Sequence, residues 1–137
     1  MRNPRNKFWD LESGTQDQSY VGQSSEKPST EAAVQATEGI YLGSVLNAEI
    51  GGELASQGNV ISGNGGGIYA AGASGIVRNN LIGLAADGVA SIGNAGNGIT
   101  VYDSVIDIGT PSAGNTISGN GNNGISANSG TLSIRGN

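Results

Sequence analysis

The sequence predicts an all-β fold in which short strands wind into coils that stack in parallel. Three observations predict it. "GNVISGN" at residues 58–64 returns as "GNTISGN" at 114–120. Gly dominates the composition, with 25 copies in 137 residues. Isoleucines recur at Ile40, Ile61, Ile82, Ile99, Ile117 and Ile134, separated by 21, 21, 17, 18 and 17. A spacing near 20, with three-residue apolar pieces set between Gly, Asn and Ser, suits a coil of short strands better than a sandwich.

Composition narrows the alternatives. Apolar residues make up 36%, aromatics 4% and charged residues 12% of the chain. So little charge argues against ordinary disorder, and Gly disfavours a helical core. Six basic residues against 11 acidic ones give a net charge of −5 with no basic stripe, so nucleic acid is not an expected partner. Absence of Cys excludes disulfides and thiol chemistry. No run of about 18 apolar residues exists, so no membrane span is expected. The opening "MRNPRNKFWDLESG" is positively charged, but no apolar stretch follows, so no signal peptide is visible. Export would need a signal outside this chain or an unconventional route.

Taken in order, residues 1–38 hold four of the basic and six of the acidic residues but only two glycines, Gly14 and Gly22. "GTQDQSYVGQSSEKPST" (14–30) is polar and aperiodic, and reads as flexible linker. In residues 30–38, Thr30 or Ser29 caps a short helix through Ala32, Ala33 and Ala36 that covers the end of the stack. An equal reading makes "AAVQA" a first irregular strand.

Residues 39–137 carry the other 23 glycines. "GIYL" (39–42) reappears as "GITV" (98–101), "GGGIYA" (65–70) as "NNGISA" (122–127), and "GASGIVRNN" (72–80) as "ANSGTLSIRGN" (127–137). A unit of about 57 residues therefore occurs nearly twice. Each strand turns one or two residues inward, and Gly or Asn makes the bends that need left-handed backbone. Coils stack at about 4.8 Å, so about five would make a column roughly 24 Å tall. In the repeated heptapeptide Ile61 and Ile117 point inward, while Val60 and Thr116 point outward. Asn59, Asn64, Asn115 and Asn120 take the corners, where stacked carboxamides satisfy backbone groups left open by each bend. The heptapeptide is thus a turn-strand-turn piece rather than a catalytic loop.

"GNVISGNGGGIYAAGASGIVRNNLIG", "AGNTISGNGNNGI" and "NNLIGLAADGVASIGNAGNGI" (79–99) resemble the repeats of right-handed parallel β-helix proteins, among them very large bacterial surface and secreted proteins with the pectate-lyase-like fold. In such repeats a strand ending in Asn-x-Ile-Gly leads into a polar loop and then a Gly-Asn segment. Asn80, Ile82, Gly83, Asp87, Gly88, Gly93, Asn94, Asn97, Gly98 and Ile99 fit that shape. The resemblance covers about residues 39–137. It implies an all-β, right-handed parallel β-helix (solenoid) of about five short coils, preceded by a flexible or short-helical N-terminal segment. "SIRGN" at the end matches the interior of "IVRNNLIG". Residues 39–137 therefore read as a slice of a longer solenoid, with an open coil end that invites end-to-end self-association.

Function is less sharply written, because the same coil serves lyases, hydrolases, spikes and stalks. Glu49, Glu53, Asp87, Asp103 and Asp107 are the acids of this half, and Arg78 and Arg135 its bases. Asp103 and Asp107 share a rim only if a bend brings them together; otherwise the charges are scattered and solvated. Arg78 and Arg135 are separated by one large repeat unit, which suits surface rungs better than a catalytic base. "GNGGG" (63–67) lacks the Lys-Ser/Thr of a phosphate loop and opens no helix. Thr100, Thr110, Thr116 and Thr131 hold no common register for a threonine face. Tyr41, Tyr69 and Tyr102 would stack on sugars if they shared a groove, and are ordinary strand residues if they do not. The expectation is a non-catalytic structural or adhesion-type segment of a bacterial extracellular or cell-surface protein. It takes no cofactor or metal, and its partners are surface polysaccharide or neighbouring β-helix coils. The rival is a fragment of a carbohydrate-binding or polysaccharide-degrading β-helix, favoured if Asp103, Asp107 and a neighbour form one acidic cluster.

Overall fold

A computed structural model describes residues 9–11, 19–20 and 38–137. The strands are β1 (Trp9–Leu11), β2 (Ser19–Tyr20), β3 (Glu38–Gly43), β4 (Ala48–Gly51), β5 (Val60–Ile61) and β6 (Gly66–Ala71). They continue with β7 (Ser74–Arg78), β8 (Leu81–Ile82), β9 (Ile99–Ile108), β10 (Thr116–Ile117) and β11 (Ile125–Ile134). All ladders between these strands are parallel, and the chain forms a β-solenoid of about four turns. Each turn has a first arm (β3, β6, the start of β9 and of β11), a second arm (β4, β7, the ends of β9 and β11) and a short third strand (β5, β8, β10).

The interior is built as columns. Ile40, Ile68, Ile99 and Ile125 stack in the first arm, and Ile50, Val77, Ile108 and Ile134 in the second. Ile61, Ile82 and Ile117 stack in the third strand. Alternation along each strand puts these side chains on the inner face, and β-branched residues fit the pleat. Most are fully buried. Like residues over like at one strand spacing leave little void, so each turn completes the core of its neighbours.

This arrangement corrects the expected coil. The isoleucine spacing is not a uniform turn: Ile61 lies under Ile82, but Ile40 lies under Ile68 rather than under Ile61, and Ile68 under Ile99 rather than under Ile82. Most of its steps pass from one inward column to another, because isoleucine occurs in all three. The large repeat unit is two turns, from Ile68 through Ile99 to Ile125. There are accordingly about four turns rather than about five. Ile61 is buried and Val60 partly exposed, and Thr116 faces out, as expected of the heptapeptide.

Of the residues read as a polar tail, Trp9–Leu11 pairs with residues 40–42 and Ser19–Tyr20 with residues 49–50. The short helix read at 30–38 falls on residues outside the described ones, save Glu38, which opens β3.

The corners are closed by asparagine. Asn59, Asn80, Asn115 and Asn137 form one ladder, in which the backbone N–H and Nδ2 of each rung both donate to Oδ1 of the next at 2.7–3.0 Å. Asn64, Asn94 and Asn120 form a second ladder with the same pattern at 2.8–3.2 Å. Spare Nδ2 protons reach carbonyls that end the inward strands: Asn80 reaches Ile50 O, Asn115 Val77 O, and Asn94 Ile61 O. Each copy of the heptapeptide thus supplies one rung to each ladder. Asn80 and Asn94 supply the rungs between. An inserted hairpin, residues 84–93, separates them and leaves the stack through a Leu84–Ser91 antiparallel bridge.

Candidate functional site

The outer face of the second arm holds an open groove of about 520 Å³. Since Ala48, Ile50, Val77, Ile106 and Ile108 point inward, the residues between them must point out. That places Glu49, Ile76 and Asp107 in one outward column and Ser74 and Val105 beside it. Asn47, Glu49, Ile76, Arg78, Val105 and Asp107 line the groove. A depression of about 440 Å³ shares Glu49 and Arg78 and runs over Gly51, Gly52 and Glu53.

Arg78 organises the groove. Its Nε donates to Glu49 Oε2 at 3.2 Å and its Nη2 to the same oxygen. Nη1 lies 3.5 Å from Glu53 Oε1. Only 17% of the Arg78 side chain is exposed, against 36% for Glu49 and 78% for Glu53. A guanidinium stays protonated and only donates, so Arg78 serves as a positioned cation and hydrogen-bond donor, not as a proton acceptor. Its column continues through Gly109 to Arg135, whose Nε donates to Ser133 Oγ at 3.1 Å. The two arginines are equivalent surface rungs two turns apart, on the order of 10 Å along the axis.

The other candidate acids are spread out. Asp103 stands at the bend between the two arms of β9 with φ of 47°, whereas Asp107 is in the groove. Among the described residues no three His, Cys, Asp or Glu side chains gather where they would hold a metal ion. Asp87 belongs to the inserted hairpin, where Oδ1 accepts from the Val89 and Ala90 N–H at 2.8 and 3.0 Å. These two bonds hold its carboxyl below the ordinary value. Glu38, at the start of β3, is pushed the other way by burial.

Tyr41 and Tyr69 stack in adjacent rungs, ring centroids 5.7 Å apart and planes 25° from parallel. Each is half-buried, with one ring face against the other. Tyr102 is more exposed and lies opposite Ala71, further along the arm. The three tyrosines therefore belong to the first arm and do not line the groove. The threonines fall in separate places: Thr100 in line with Tyr69, Thr116 with Leu81, Thr131 with Val105. "GNGGG" is a coil contact, since a Cβ on Gly67 would sit 2.1 Å from Gly98 O.

The groove was only half visible in sequence. Glu49, Arg78 and Asp107 stood out as charges, but nothing local marked Asn47, Ile76 or Val105. The signal that would have found them is the alternation about Ile50, Val77 and Ile108, once turns longer than the isoleucine spacing are allowed. No family model matches the chain, and neither does any curated protein or solved structure.

Proposed function

We propose that this chain is a non-catalytic structural segment, a solenoid spacer of adhesion type from a bacterial extracellular or cell-surface protein. The observation that carries the reading is the pair of axial asparagine ladders. They tie successive turns together through side chains that lie inside the corners, and so make the stack stiff along its axis. The resemblance of residues 39–137 to surface and secreted β-helix repeats supports the location. The partners proposed are surface polysaccharide and neighbouring coils, not nucleic acid. No helix of the described residues is long and apolar enough to cross a membrane.

A second reading, a carbohydrate-binding or carbohydrate-cleaving segment, is favoured by the groove alone. Its mixture of amide, carboxylate and guanidinium groups suits sugar hydroxyls and carboxylates. The test is to incubate the chain with neutral and acidic polysaccharides, with and without Ca²⁺, and to measure both retention on the polymer and release of sugar ends. The structural reading expects no release. Release that disappears in Arg78→Ala and Asp107→Asn would overturn it in favour of the groove.

A further inference from the structure

In the outward column of the second arm, Glu49, Ile76 and Asp107 follow one another rung by rung, from β4 to β7 to β9. The two carboxylates are therefore two strand spacings apart, on the order of 10 Å, with an aliphatic side chain between them. Val105, 57% exposed, widens that apolar floor. Among the described residues that line this groove and the depression beside it, three carboxylates (Glu49, Glu53 and Asp107) face the guanidinium of Arg78.

These charges are not evenly mixed. Arg78 is engaged at one end, with Nε and Nη2 on Glu49 Oε2 and Nη1 3.5 Å from Glu53. Asp107 stands at the other end, and Ile76 separates its rung from that of Glu49. Arg135, one turn above, donates Nε to Ser133 Oγ and lines with Asp107 a separate depression of about 80 Å³. A groove with surplus carboxylate over an aliphatic floor attracts a cation with an apolar body and repels a polyanion. An incoming carboxylate would also have to displace Glu49 or Glu53 from Arg78.

We infer that the groove binds a polysaccharide with free amines, a β-linked hexosamine chain without acetyl groups, lying along the solenoid axis. The inference rests on the reading of polysaccharide as a partner and names the charge that partner carries. An extended β-1,4-linked chain advances by close to one strand spacing per sugar and places every second amine on the same side. The ammonium of one sugar then meets Glu49, the apolar face of the next lies on Ile76 and Val105, and the ammonium of the third meets Asp107. Both polar contacts are charge-assisted hydrogen bonds, stronger than those between neutral groups. An acetyl group removes the charge from each amine. A uronate chain would bring its own carboxylates against Glu49 and Asp107.

The experiment measures equilibrium binding of the full chain to oligosaccharides of matched length: β-1,4-glucosamine, its N-acetylated form and an oligogalacturonate. A mildly acidic pH keeps both amines and carboxylates charged. The glucosamine oligomer should bind most tightly. Asp107→Asn keeps the size of the side chain and should weaken that binding by about threefold to fivefold, as befits a partly exposed ion pair. Asp103→Asn removes one charge at a bend outside the groove and should leave it unchanged. Equal weakening by the two variants would show diffuse attraction to an acidic chain and overturn the inference. Tighter binding of the acetylated or the acidic oligomer would also overturn it, while the polysaccharide reading stood. If none of the oligomers binds, the inference falls together with the polysaccharide partner.

Discussion

Asp103 occupies the same left-handed bend as Gly72 one turn away, with φ of 47° against 65°. Ser44 and Ser129 take that position in the other turns, at 55° and 65°. The bend lets the chain pass from the first arm to the second, and Asp tolerates it better than most residues with a Cβ. Asp103 is placed by its backbone, which accounts for an acid that stands apart from the groove. Asp103→Gly should leave stability unchanged or slightly raised, and Asp103→Val should cost about 1–2 kcal/mol, read from urea midpoints. Equal effects of the two would refute the bend assignment.

Asn80 lies in the middle of its ladder and serves both neighbours. Removing it leaves Asn59 N–H and Nδ2 and the carbonyl of Ile50 without these bonds in a buried corner. Each such group costs about 1–3 kcal/mol, so Asn80→Ala should destabilise by roughly 3 kcal/mol or more. Thr116→Ala, at the outward position of the second heptapeptide, should cost clearly less. Chemical unfolding of both variants decides the ranking, and a reversed order would contradict the axial account.

Two glycines with positive φ should respond differently to a methyl group. Gly51 has φ of 91°, and a Cβ there would lie 1.8 Å from the carbonyl oxygen of Arg78 in the next turn. Gly72 has φ of 65° and only Ser44 Oγ nearby, at 3.6 Å. Gly72→Ala should cost about 1 kcal/mol for the backbone alone. Gly51→Ala must push adjacent strands apart and should cost several times that. Thermal unfolding compares them directly.

The pH response carries two opposite signs. Asp87 titrates below the ordinary value because the Val89 and Ala90 N–H bond its anion. Its contribution is complete above the ordinary Asp pKa and is lost as pH falls through the lowered one. Glu38 is raised by burial, so its contribution is complete below the ordinary Glu pKa and is lost as pH rises through the raised one. Amide resonances of Val89 and Ala90 should therefore move at a lower pH than the Glu38 side chain. Asp87→Asn should abolish the first transition and Glu38→Gln the second.

The repeated heptapeptide was legible because its chemistry is local. Asn-x-Ile-Ser-Gly-Asn offers one inward residue between two corners, and both copies do so. The length of a turn was not legible. Ile40, Ile61 and Ile134 are the same residue in three columns, so a count of isoleucines measures steps around the coil as well as steps up it. The inserted hairpin also hides an equivalence. Ile82 sits over Ile61 and under Ile117, yet the hairpin makes the second step much longer in sequence than the first.

By itself the sequence determined that the chain is β, coiled and parallel. Short β-branched triplets between Gly and Asn bury a surface only by stacking on copies of themselves. Only the tertiary structure decided the register. Register brought Glu49, Arg78 and Asp107 onto one outward face from three successive turns, and put Asp103 into a backbone bend. Side-chain identity fixes what faces inward along a strand, but which outward residues become neighbours depends on the length of every loop between them.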